Sequence, residues 1–64
     1  MKRGDVIRHL HTAGCESLRD TGKHEIYHNA ATGMQSPVPR HNELNPIIVR
    51  KICRELGIAP PLGR

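Results

Sequence analysis

Pro37 and Pro39 stand two residues apart in Gln35–Arg40, a stretch that otherwise reads as a β-strand. Backbone amides at i and i+2 point to the same side of a strand, so the two prolines delete donors along one edge. Ser36, Val38 and Arg40 keep theirs and can pair on the other side. The pattern predicts an edge strand, such as the last strand of a meander. Upstream, Cys15–Arg19 is short and mixed, Asp20-Thr21-Gly22 is a turn signal, and His24–His28 alternates with β-favouring residues, which together read as a hairpin. Asn29–Gly33 is a second turn-rich stretch leading into the proline strand.

Helical patterns flank these strands. At ~100° per residue, Val6, Leu10 and Ala13 fall on one stripe with Ile7 at its edge, which predicts a helix from about Arg3 to Ala13. Asp5 suits its first turn, and Gly14 is a natural left-handed stop. The second helix, Pro46–Leu56, carries stronger signals: Asn45 as N-cap, Pro46 at the first helical position, and Gly57 followed by Ile58 as a Schellman-type end. Ile48, Val49, Ile52, Cys53 and Leu56 share one arc of it, and Arg50, Lys51 and Arg54 lie on the other side. The predicted fold is α+β, an α-β-β-β-α order with both helices on one face of a three-stranded antiparallel sheet, as in double-stranded-RNA-binding-domain-like folds. We expect one domain over 1–58 and a proline-rich, loosely ordered tail over 59–64.

Sixty-four residues leave no room for separate catalytic and recognition domains. With one Tyr and neither Phe nor Trp, the core must be aliphatic and of small stability. A reader of single strands by base stacking needs aromatic platforms, and only Tyr27 is on offer. Ten Lys and Arg against six Asp and Glu give +4 and a pI near 9.7, which suits a polyanionic partner without choosing among them. No apolar run exceeds three residues, and Met1-Lys2-Arg3 leads straight into helical pattern, so we expect a cytoplasmic protein without a membrane segment. Cys15 and Cys53 are expected as free, partly buried thiols.

Five histidines raise the question of metal, and their spacing argues against it. His9 and His11 lie ~160° apart around a helix, and are expected to be solvated. His24 and His28 share a strand face but stand ~13 Å apart at ~3.3 Å per residue, too far for one tetrahedral ion. A site joining distant segments, such as Cys15 with Cys53, stays open at this level; we expect no metal and no cofactor.

Gly22-Lys23-His24 is more informative, with a histidine after a lysine at the start of a strand and beside a glycine turn. RNA is cleaved without metal when its own 2′-hydroxyl attacks the adjacent phosphate, given a group that titrates near neutrality and a cation for the developing charge. His24 and Lys23 fit those roles, and Gly22 would let backbone approach a phosphate, its amide turned to the anion. Strand parity sets a condition. If Tyr27 faces the core, His24, Ile26 and His28 face outward; if Ile26 does, His24 turns inward.

The sequence resembles the HicA toxins, small mRNA interferases of prokaryotic type II toxin–antitoxin modules. The resemblance runs from the first helix through Ile58 and rests on Gly14, on Gly22-Lys23-His24-Glu25-Ile26-Tyr27 against the family's Gly-Ser-His-x-x-aromatic motif, on Val38-Pro39-Arg40-His41, and on Ile52–Ile58. It implies a single essential histidine at the position of His24, a companion glycine at Gly22, an RNA substrate and a HicB-type antitoxin that covers the site. Two residues depart from the pattern: Lys23 replaces the usual serine, and Cys15 stands where tryptophan is common. The expected activity is a metal-independent endoribonuclease with His24 as its catalytic residue. Gly22, Lys23, His28, Arg40, His41, Arg50, Lys51 and Arg54 are candidate RNA contacts, and His28 is a candidate second proton-transfer group. The alternative is a non-catalytic module of the same fold that binds duplex RNA by shape and phosphate contacts.

Overall fold

The computed structural model describes residues 1–61, and the end of the expected tail, 62–64, lies outside the described residues. Its elements are α1 (Arg3–Thr12), β1 (Cys15–Asp20), β2 (His24–Asn29), β3 (Gln35–Pro39) and α2 (Pro46–Leu56). The strands form an antiparallel meander in the order β1-β2-β3, so the proline-bearing strand is an edge as its sequence requires. Val6 and Leu10 of α1, Cys15, Tyr27 and Val38 of the sheet, and Val49, Ile52, Cys53 and Leu56 of α2 share one buried cluster with Leu44. Both helices therefore cover the same sheet face, and the α+β order expected from the sequence is the one observed.

The ends of α2 are closed by the residues that announce it. Asn45 Oδ1 accepts the Ile47 amide at 2.8 Å, Gly57 takes φ +73°, and the Gly57 and Ile58 amides return to Arg54 and Cys53 carbonyls at 3.1 and 2.9 Å. A Cβ on Gly57 would stand 3.1 Å from Met34 Sδ, so a side chain there would be strained by φ and would also require Met34 to give way slightly. The start of α1 has no side-chain cap; the Arg3 amide donates instead to the Asn42 carbonyl at 2.8 Å, and Lys2 bridges to Glu43. The approach to α2 thus caps α1.

Two positions differ from the sequence expectation. Ala13 is exposed, because α1 ends at Thr12 and the chain leaves the stripe at its C-cap before turning at Gly14. Ile48 is 38% exposed: the buried stripe of α2 centres on Val49, Ile52, Cys53 and Leu56, and Ile48 falls at its flank. β1 and β2 extend one residue beyond their expected ends, β3 stops at Pro39, and β1 carries a bulge between Ser17 and Arg19.

Among the described residues every buried side-chain polar atom has a hydrogen-bond partner. Asn29 sends Nδ2 to the Leu56 carbonyl at 2.8 Å and accepts the Ala31 amide at 2.9 Å, tying the second turn to the end of α2. Ser36 Oγ donates to Glu55 at 2.8 Å. Cys15 and Cys53 are free and fully buried, more so than expected, and burial pushes both thiols up from their ordinary range. His9 and His11 are not merely solvated: His9 Nε2 lies 2.8 Å from the Ala59 carbonyl, and His11 meets Tyr27 edge to face with ring centres 5.8 Å apart. No helix among the described residues is long and apolar enough to cross a membrane.

Candidate active site

Antiparallel pairing decides which residues meet. His24 at the start of β2 is opposite Pro39 at the end of β3, so the turn before β2 and the loop after β3 flank the same corner of the sheet. Gly22, Lys23 and His24 on one side, with Pro39, Arg40 and His41 on the other, line an open cleft of about 390 Å³. Tyr27 is buried on the core face, which satisfies the parity condition: His24 is exposed, and Ile26 and His28 share its outward face.

Asp20 joins the two walls. Its Oδ1 accepts the Gly22 amide at 2.8 Å, and its Oδ2 contacts the Arg40 guanidinium. The turn is closed by the Thr21 amide and hydroxyl, which donate to the His24 carbonyl at 2.9 and 3.0 Å. Gly22 has φ +93°, a backbone region that glycine alone enters readily. The expectation that its amide would face an anion is corrected here, since Asp20 already holds that amide. What Gly22 contributes is the turn and the absence of a side chain at the mouth of the cleft.

Behind the cleft, Arg3 braces both strands: Nε donates to the Pro39 carbonyl at 2.8 Å and Nη2 to Glu25 Oε1 at 2.9 Å. The Arg3 hydrogen bond is the main cause that holds the Glu25 carboxyl below its usual range, with the Ser17 hydroxyl next, outweighing partial burial. A lowered carboxyl stabilises the fold at pH values above its unfolded value of 4.5, and that contribution is lost as pH falls through the folded value. Glu25→Gln is therefore expected to be less stable than the parent at pH 7, with the gap closing at pH values well below about 4.5. Urea midpoints of the two proteins across that range check this; a gap that stays constant would contradict it.

The other candidate residues lie elsewhere. Lys51 shares with His24, Pro37, Pro39, Ile48, Ile52 and Glu55 a neighbouring groove of about 180 Å³, so it approaches His24 from α2. Arg50 borders a separate hollow with Pro46, Val49, Pro60 and Pro61, and Arg54 is exposed outside all three. His28 is half-buried in mid-sheet between Glu16 and Gln35, and it is not in the cleft. Asp20 and Arg3 were not foreseen as parts of the site. Asp20 read only as a turn residue, and the partners of Arg3 are 22 and 36 residues away, beyond the reach of any local signal. Among the described residues, no three His, Cys, Asp or Glu side chains gather where they could hold a metal ion.

Residues 3–58 match the family model described as the HicA toxin of bacterial toxin–antitoxin systems. Comparison with curated proteins and with solved structures gave no match.

Proposed function

Since the chain belongs to the HicA toxin family, we propose that it acts as the toxin by cutting messenger RNA in the cytoplasm, with His24 moving a proton at the scissile phosphate. Support comes from one placement: an exposed histidine and a lysine that makes no ion pair among the described residues share an open cleft with Arg40 and His41. Such a cleft admits a backbone phosphate between two cationic walls.

The substrate carries its own nucleophile. When the 2′-oxygen attacks phosphorus, the 2′-hydroxyl proton leaves, the bond from phosphorus to the 5′-oxygen breaks, and that oxygen takes up a proton. The protein has to accept one proton, supply the other, and stabilise the charge that builds on the phosphoryl oxygens. Lys23 is placed to stabilise that charge beside His24, and Arg40 does so from the opposite wall while anchored to Asp20. Tyr27, the chain's one aromatic residue of the Phe, Trp and Tyr class, is 3% exposed and gives bases no platform. RNA is then held through its backbone, with Lys51 extending the basic track onto α2. A HicB-type antitoxin silences the activity by covering the cleft, and its binding stabilises so small a domain by mass action.

Long single-stranded RNA incubated with the purified chain in excess EDTA tests the proposal. The expected products carry 2′,3′-cyclic phosphate and 5′-hydroxyl ends, and a 2′-deoxy residue at a cut position blocks that cut. Intact RNA that is nevertheless bound by folded protein would replace this reading with the non-catalytic module that binds duplex RNA.

A further inference from the structure

Cleavage through the 2′-oxygen requires two proton transfers on opposite sides of one phosphorus atom, because the attacking and leaving oxygens lie in line. One imidazole cannot serve both sides at once. On the reading just given, we propose that His41 is the second proton-transfer group and acts as a pair with His24 across the cleft.

His28, the partner that strand spacing suggests, sits four residues along the same strand at ~13 Å and outside the cleft, too distant to reach the other oxygen of the same phosphate. His41 lines the same cleft as His24, from the loop that follows β3. The two walls carry the same short motif, a cation followed by a histidine: Lys23-His24 and Arg40-His41. Asp20 links the two segments, holding the Gly22 amide with one carboxylate oxygen and Arg40 with the other. His41 is exposed, and among the described residues its side chain has no hydrogen-bond partner, so its ring is available to a ligand.

In the reaction one neutral imidazole takes the 2′-hydroxyl proton as the new oxygen–phosphorus bond forms. The opposite imidazolium gives its proton to the 5′-oxygen as the old bond breaks. The histidines end with their protonation states exchanged, and solvent resets them. The charged groups near this pair are Lys23 and Arg40 in the cleft, Asp20 through its contact with Arg40, and Lys51 and Glu55 of α2 in the neighbouring groove that His24 also lines.

Single-turnover cleavage rates against pH, for the parent and for His41→Ala, test the pair. The parent is expected to give a bell-shaped profile, and His41→Ala to lose ~10²–10⁴-fold in rate together with one limb of the bell. Its affinity for an uncleavable 2′-deoxy-substituted RNA should hold, and added imidazole should restore part of the rate. His28→Ala should keep both limbs. A His41→Ala protein that cleaves at the parental rate, or that loses only RNA affinity while keeping the bell, overturns the pairing and leaves the nuclease reading intact. A folded parent that cleaves no RNA overturns both.

Discussion

Leu56→Ala is expected to leave most of the protein unfolded at 37 °C. Leu56 is fully buried at the end of α2, in a core without Phe or Trp, and its carbonyl anchors Asn29. Truncating a buried leucine costs ~2–5 kcal/mol, the lost transfer energy plus the cavity it leaves. A core of this size supplies ~3–5 kcal/mol in all. The two quantities are equal within their spread, so the folded fraction falls steeply. Leu10→Ala should act alike, being equally buried on α1. Leu18→Ala supplies the contrast, because Leu18 is 44% exposed at the β1 bulge and its loss should stay within about 0.5 kcal/mol. Circular dichroism during urea unfolding checks all three; a Leu56→Ala midpoint matching the parent would contradict this description of the core.

Local signals carried most of the architecture. Asn45, Pro46 and Gly57 bound α2 because capping and left-handed geometry are properties of single residues, and Pro37 with Pro39 located the edge strand because a missing amide cannot pair. Periodicity was less secure at its margins. Ile48 satisfied the arc of α2, but whether a flanking residue is covered depends on where the helix rests on the sheet. Ala13 satisfied the stripe of α1 one residue after its helical geometry had ended.

The candidate site divides in the same way. Gly22, Lys23 and His24 were legible as a turn followed by a strand. Arg40 and His41 were legible as basic residues after a strand, but their place in the cleft with His24 follows from the β2-β3 register, which sets Pro39 opposite His24 and which only the paired sheet displays. Nothing near Asp20 signals that its second oxygen meets Arg40, and nothing near Arg3 signals Glu25 or Pro39. These long-range ties set the cleft's geometry, and the same register separates His28 from the cleft and brings His41 to it.

His24→Ala is expected to remove cleavage while sparing the fold. General acid–base participation contributes ~10²–10⁴-fold to a rate, and that much should be lost with the imidazole. The side chain is exposed, and the turn is held through the His24 backbone carbonyl and amide to Thr21, bonds that alanine keeps. The thermal midpoint should therefore barely move. The central claim is that this cleft cuts RNA with the protein's own side chains. Its most direct test is single-turnover cleavage of one RNA in excess EDTA by the parent and by His24→Ala, each shown to be folded. Rapid cutting by the parent that collapses in the variant is the predicted result; equal cutting by both, or cutting by the parent only when a divalent metal is restored, would contradict it.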